Sequence, residues 1–136
     1  MGKYFSMGEM MRSQTADAMG ISNKCNIEQA GNIQRLIAEV LDPLREAYGK
    51  PIRVTSGFRS PELNKAVGGS RTSDHMTGCA ADIVGTPITK SENKKLFELV
   101  QELGLSYDQL IDEKGFRWVH VSFRSKETNR MMILHL

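Results

Sequence analysis

Two short segments constrain this chain of 136 residues more than any other part of its sequence. Residues 73–82 contain His75 and Asp82, and Trp118–Ser122 contains His120. Two imidazoles and one carboxylate form a donor set that suits zinc and leaves one coordination position for water. The chain must therefore fold so that a histidine far downstream reaches the first pair.

An aspartate interrupts a short apolar run in the first segment. Ala80–Val84 has the length and composition of a buried strand, and Asp82 is its only polar residue. An unpaired carboxylate is costly inside a protein, and a metal ion is a sufficient reason for one. We expect a turn at Gly78 to bring His75 to Asp82, and a neighbouring strand to supply His120.

The two cysteines, Cys25 and Cys79, are too few to form a disulfide framework. Cys79 lies between His75 and Asp82 in the sequence, so it is an alternative zinc ligand. We favour the simpler interpretation, in which Cys79 is a small buried side chain beside a strand.

The clearest helix in the sequence follows Asn26. Its apolar residues recur at steps of three and four, as a one-sided helix requires: Ile33, Leu36, Ile37, Val40, Leu41, Leu44, Ala47 and Tyr48. Asn26 and Gln29 have the spacing of a capping box. Pro43 lacks a backbone donor, which predicts a kink near Asp42, and Gly49 predicts the end.

Alternating and apolar patterns predict the other elements. We expect strands at 52–56, 80–84, 107–112 and 117–123, an edge strand in the carboxyl-terminal tail, and helices that start at Ser60 and at Thr89. Residues 1–26 are polar and irregular, with a helix over 8–19 capped by Ser6. The prediction is one α+β domain over 1–136: a small, mostly antiparallel sheet flanked by helices.

Composition narrows the functional classes. A formal charge of +2 is too small to indicate a nucleic-acid partner, and no segment has the length of a membrane span. The amino terminus lacks the apolar run of a secretory signal. We therefore expect a protein that stays in the cytoplasm until it is released, and we expect it to be a monomer.

The pattern S-x-H-x-x-G-x-A-x-D with a later W-x-H-x-S resembles the zinc D-Ala-D-Ala carboxypeptidase family (peptidase M15). Segments 52–60, 64–70 and 108–111 are similar to that family too, so the resemblance covers about 26–123. It implies a fold shared with the amino-terminal signalling domain of hedgehog proteins. It also implies Zn²⁺ as the cofactor, His75, Asp82 and His120 as its ligands, and Arg59 as a substrate contact.

Amide hydrolysis also needs a base for water and an acid for the leaving amine. Many relatives carry an acid three positions before the last histidine, where this chain has Arg117. The acidic candidates are Asp112 and Glu113, and the resemblance points to Glu113. The alternative interpretation of Glu113 is an exposed carboxylate in a turn.

The loop between the last two long strands decides whether Glu113 can serve. A two-residue turn at 114–115 would place Gln109 opposite His120 and Glu113 about 13 Å along the strand, which is too far for a base. A wider loop would place Glu113 opposite His120. We predict the wider loop.

Three further residues are candidates for substrate contact. Arg59 follows a strand and a glycine, and its guanidinium suits a carboxylate or an oxyanion. A surface pairing with Glu62 is the alternative for Arg59. Ser73 is a polar candidate. Trp118 shares a strand face with His120, where it forms either a wall of the cleft or part of the core.

Taken with the resemblance, these residues predict a zinc metallopeptidase of peptidoglycan stem peptides. The expected type is a D,D-carboxypeptidase or an L-Ala-D-Glu endopeptidase, with Glu113 as base and then acid. Either type is compatible with a phage lysin that is delivered to the cell wall. The rival hypothesis is a non-catalytic, zinc-stabilised module that binds cell wall or serves as a phage structural part. Arg117, in place of the expected acid, is its main support.

Overall fold

The computed structural model describes residues 2–136, and within them five strands form one sheet. The strands are β1 (Arg53–Ser56), β2 (Ala80–Val84), β3 (Gln109–Glu113), β4 (Trp118–Ser122) and β5 (Met132–His135). Their order across the sheet is β1-β2-β4-β3-β5. All neighbours are antiparallel except β3 and β5, which run parallel. The predicted mostly antiparallel sheet and its tail strand are confirmed.

Helices account for most of the remaining regular structure in the described residues. They are α1 (Met7–Met11), α2 (Gln14–Met19), α3 (Ile27–Leu36), α4 (Asp42–Tyr48), α5 (Pro61–Ala66) and α6 (Lys90–Glu102). A π-helical turn, Ile37–Leu41, joins α3 to α4, and a 3₁₀ turn, Asp74–Thr77, precedes β2. The α+β prediction is confirmed, and no helix in residues 2–136 has the length and apolar character needed to cross a membrane.

The local signals around the first long helix act as predicted. Asn26 and Gln29 form the capping box, and Gly49 ends α4 with a φ of 75°. The kink expected from Pro43 takes the form of the π-helical turn, in which the Asp42 N–H bonds to the Ile37 carbonyl, five residues back. A proline cannot donate to the preceding turn, so the helix changes register before it resumes.

Helix α6 packs across the sheet and also holds the β3–β4 loop. The buried Asn93 donates from Nδ2 to the carbonyls of Phe116 at 2.9 Å and Arg117 at 3.0 Å. Its Oδ1 accepts from the Gly85 N–H at 2.8 Å. Thr89 caps the helix as predicted.

The amino-terminal segment is more ordered than its sequence indicates. The prediction of an irregular 1–26 with a single helix over 8–19 is wrong in detail, because two short helices break at Arg12 (Met1 lies outside the described residues). Ser6 caps α1, as expected. Phe5 and Met10 are buried in the core, and the Met10 carbonyl accepts the Phe58 N–H at 2.7 Å. The segment therefore packs as part of the domain.

The two faces of the sheet have different roles. Apolar side chains on one face pack with residues of α3 and α6 in the core. The sheet contributes Ala81, Ile83, Leu110, Val119 and Val121, and the two helices contribute Ile33, Leu36, Leu96 and Val100. Side chains alternate between faces along a strand. Asp82, Glu113 and His120 therefore share the opposite face, which lines a cleft.

Candidate metal centre and cleft

Two of the predicted zinc ligands face each other across neighbouring strands. Asp82 of β2 is the register partner of His120 of β4. The Asp82 Oδ1 lies 3.1 Å from the His120 Nδ1, and both residues are buried. Because both strands lie in the interior of the sheet, hydrogen bonds on each side hold these backbones in place.

The third predicted ligand, His75, comes from the 3₁₀ turn ahead of β2. Gly78 ends that turn with a φ of 81°, which confirms the predicted turn. The His75 Nδ1 lies 2.7 Å from the Gly57 carbonyl. A carbonyl oxygen only accepts, so Nδ1 carries the proton and Nε2 keeps its lone pair. That Nε2 lies 3.3 Å from the Asp82 Oδ1.

The structure therefore brings His75, Asp82 and His120 together. One donor atom of each lies within 4.8 Å of the other two. Two imidazole nitrogens and one carboxylate oxygen are the ligand types that zinc prefers, so the donor set fits this ion. Cys79 is buried but does not belong to the cluster, and burial raises the pKa of its thiol.

The site keeps its carboxylate ionised. Burial alone would raise the pKa of Asp82, but the hydrogen bonds and charges of His120 and His75 outweigh it and lower that pKa below its ordinary value. The other carboxylate oxygen, Oδ2, lies 3.3 Å from Nη2 of Arg59. The site therefore contains a buried, ionised Asp82 carboxylate that can bind a metal cation.

Arg59 points into the cleft and not towards Glu62. Its Nε donates to the Ser56 Oγ at 3.0 Å and its Nη1 to the Asn64 Oδ1 at 3.1 Å, while Nη2 faces Asp82. Burial lowers the pKa of this guanidinium, which stays charged at neutral pH. These contacts hold a planar cation beside the three clustered side chains.

The predicted width of the β3–β4 loop is partly wrong. Glu113 is the register partner of Trp118, and Ile111 is the partner of His120. The loop is therefore wider than the two-residue turn, but too narrow to place Glu113 directly opposite His120. Glu113 lies one same-face step along the strand, about 7 Å away at ~3.3 Å per residue.

Glu113 nevertheless lines the same cleft and is only half-buried. Burial, and then the negative charge of Asp82, raise the pKa of Glu113. The other acidic candidate, Asp112, lies on the opposite face and contacts His135. Arg117 is exposed, and its backbone N–H donates to the Glu113 carbonyl. Of the acidic candidates, Glu113 alone reaches the cleft.

The cleft has a volume of about 580 Å³ and includes every predicted site residue. Ser73 lies on its rim, where Oγ accepts the His75 N–H at 3.1 Å. Trp118 forms part of the wall, and its buried indole N–H finds no acceptor within residues 2–136. The lining residues that were not predicted as site residues include Gln109, Arg124 and Arg130. The alternation of β3 could have identified Gln109, but no motif marks the two arginines.

Comparisons with known proteins identify a family. The model of the family described as Peptidase M15 matches residues 3–122. A zinc D-Ala-D-Ala carboxypeptidase from Streptomyces albus G is 39% identical over 71 residues, which cover 45% of this chain. The match covers 28% of that protein, so it concerns only a part of the relative.

Proposed function

The chain belongs to the peptidase M15 family, and on that premise we propose that it is a zinc-dependent peptidase of peptidoglycan stem peptides. One observation carries the proposal. His75, Asp82 and His120 converge in a cleft that also holds a carboxylate and a guanidinium from other elements. A set of this composition is what metal-assisted amide hydrolysis requires.

His75, Asp82 and His120 would hold the ion. Zinc, when bound, supplies a Lewis acid and lowers the pKa of water. The Gly57 carbonyl holds His75 in the tautomer with a free Nε2 lone pair. Asp82 offers a negative charge that its neighbours keep ionised.

Glu113 is the proposed base and then acid. Its carboxylate takes a proton from the attacking water, and it returns a proton to the amine nitrogen as the C–N bond breaks. A raised pKa suits both tasks, because a carboxyl group whose pKa lies closer to neutral pH can both take up and release a proton. The register places Glu113 one same-face step from His120, within the same cleft.

Arg59 is the proposed electrophilic partner. Three oxygen acceptors hold its guanidinium beside Asp82, so it is oriented before substrate arrives. A guanidinium in that position can donate to the oxygen that gains charge as the amide carbon becomes tetrahedral. It can equally grip a substrate carboxylate next to the scissile bond.

The name of the S. albus relative supports D-Ala-D-Ala cleavage as the first reaction to test. The second is cleavage between L-Ala and D-Glu. The experiment incubates the zinc-loaded chain with a synthetic stem pentapeptide and with purified sacculi, and identifies the products by mass spectrometry. Released D-Ala defines a D,D-carboxypeptidase, and a new D-Glu amino terminus defines the endopeptidase. Clearing of whole bacteria would support a lysin role.

The matched variants are Glu113→Gln and Glu62→Gln, since Glu62 is an exposed glutamate of α5. We expect Glu113→Gln to lower kcat by about 10² or more with zinc still bound, and Glu62→Gln to keep wild-type activity. A wild-type protein that binds zinc but cleaves neither substrate would overturn the proposal. The rival, a zinc-stabilised wall-binding module, would then be favoured.

A further inference from the structure

A second group of charged side chains, Asp74, Arg124 and Arg130, lines the same cleft around a buried carboxylate. Its anchor is Asp108, which is 0% exposed. Arg130 grips that carboxylate with two hydrogen bonds, from Nε to Oδ1 at 3.0 Å and from Nη2 to Oδ2 at 2.8 Å. These bonds lower the pKa of Asp108, so the pair stays ionised.

Arg124 lies against the same carboxylate and a second one. Its Nε and Nη2 donate to the two oxygens of Asp74, each at 3.2 Å, and its Nε is 3.3 Å from the Asp108 Oδ2. Two arginines are therefore oriented by two aspartates before any ligand arrives. The two positive and two negative charges cancel. The group would therefore bind a ligand through oriented guanidinium N–H donors and not through a net charge.

Each arginine keeps donors that make no hydrogen bond within residues 2–136. A guanidinium carries five N–H groups, and both residues use Nε and Nη2 on the aspartates. Neither Nη1 group has a partner within residues 2–136. The side chains of Arg124 and Arg130 are 43% and 46% exposed, and both line the cleft. Their free edges can meet a ligand that enters it.

The distance from the metal centre fits an extended peptide. Arg124 follows His120 by four residues, and the strand pairing continues past β4 because the Phe123 N–H bonds to the Cys79 carbonyl at 2.8 Å. At ~3.3 Å per residue, the Arg124 backbone lies about 13 Å from the His120 backbone along the strand direction. An extended peptide covers this distance in about three to four residues.

We propose that Arg124 and Arg130 form a carboxylate-binding subsite for an acidic residue of the substrate about three to four residues from the scissile amide. This inference rests on the proposed function, because it assumes that the cleft binds the peptide. It makes the two arginines determinants of specificity, and it predicts a preference for acidic peptides with a free carboxylate at that distance. Arg59 would remain responsible for the reacting end.

The test compares two synthetic stem peptides that differ only in a carboxylate or a carboxamide on that acidic residue. Trp118 is the sole tryptophan and lines the cleft, so its fluorescence reports binding without hydrolysis. Zinc-loaded Glu113→Gln protein should bind the carboxylate peptide about tenfold more tightly, or better. In the same background Arg124→Gln should bring the ratio of the two Kd values close to one.

Arg124→Gln is the first choice because Arg130 still pairs with the buried Asp108. Arg130→Lys is the second variant, since an ammonium can still reach Asp108 but lacks a second amino group for the ligand. Partial loss of fold lowers the affinity for both peptides, so the ratio isolates the contact. Lys126→Gln removes one positive charge from an exposed residue outside the cleft, and it should keep the wild-type ratio.

A Kd ratio near one in the protein with both arginines would overturn the inference. An unchanged ratio in Arg124→Gln and Arg130→Lys would do so as well. Either result leaves the proposed function intact if the wild-type protein cleaves both peptides. Binding with the expected ratio, but without cleavage by the wild type, would support the subsite and contradict the peptidase proposal.

Discussion

Asp82 and His120 are directly opposite each other on β2 and β4, with the Asp82 Oδ1 3.1 Å from the His120 Nδ1. The register of two interior strands sets their separation, so the site is prepared before a metal binds. Only His75 comes from a turn, and the Gly57 carbonyl fixes its ring. The relative position of the Asp82 and His120 donor atoms is therefore set by the pairing of β2 with β4.

Asp82→Asn should lower zinc affinity strongly while the fold persists, because asparagine keeps the shape but loses the charge. We expect a loss greater than the roughly 10- to 100-fold that removal of an outer partner costs. Competition with a chelating dye measures it. Asp112→Asn makes the same chemical change on the opposite face of the sheet and should leave zinc affinity near wild type. Equal affinity in both variants would contradict the assignment of Asp82.

Arg59→Lys should lower kcat/KM by about 10²- to 10³-fold at saturating zinc. A lysine ammonium cannot contact Ser56, Asn64 and Asp82 in the fixed geometry that the guanidinium fork provides. Steady-state kinetics on the stem peptide give the value. Arg53→Lys, at an exposed position of β1, is the control and should behave as wild type. Wild-type kinetics in Arg59→Lys would remove Arg59 from the reaction.

Gly57→Ala should weaken both the fold and the metal site. A Cβ at this position would lie 2.2 Å from the Met10 carbonyl oxygen, so the amino-terminal segment or the His75 contact must shift. We expect a loss of about 1–3 kcal/mol in the free energy of unfolding, measured with urea, and weaker zinc binding.

Gly31→Ala is the matched control for that change. Gly31 lies inside α3, and a Cβ there meets nothing within 4 Å. Alanine should therefore stabilise the helix by roughly 0.5–1 kcal/mol without any effect on zinc. The same loss of stability in both variants would show that the contact between Gly57 and Met10 is unimportant.

Glu92 should make stability depend on acid pH. Hydrogen bonds from Lys50, Lys95 and Tyr48, at 2.5, 2.8 and 2.5 Å, lower its pKa to about 2. Its unfolded pKa is about 4.3, so folding favours the ionised form. The stabilisation is present above pH ~4.3 and disappears as the pH falls towards about 2.

Glu92→Gln should therefore be less stable than wild type at pH 7, and the difference should shrink steadily below pH ~4.3. Urea unfolding at several pH values measures both proteins. Glu98→Gln, an exposed position of the same helix, should show no such pH-dependent difference. A constant difference between wild type and Glu92→Gln down to pH 2.5 would contradict the ion-pair account.

Local chemistry made much of the fold predictable. Caps at Asn26, Ser60 and Thr89 act within one turn of their own position, and they appear where the sequence indicates. The same holds for the turn at Gly78 and for the buried aspartate of β2. A strand that slipped by one residue would expose its apolar side chains, so alternation also assigned His120 to the cleft face.

The distance between Glu113 and His120 along the cleft was harder to predict than the sheet face on which Glu113 lies. Loops of two, four or six residues all keep Glu113 on the His120 side, but each gives a different separation. The observed loop has left-handed conformations at Lys114 and Phe116, with φ of 52° and 65°. Asn93 of α6 holds this loop by hydrogen bonds to two of its carbonyl groups. No residue close to the loop in the sequence predicts these contacts.

The sequence by itself determined the ligand types, the strand faces and the α+β class, because these depend on residue chemistry and on periods of two and 3.6 residues. Only the tertiary structure decided how far Glu113 lies from His120, and that Arg124 and Arg130 meet at a buried Asp108. Those contacts join segments distant along the chain. Their geometry follows from the packing of whole elements, which no local pattern encodes.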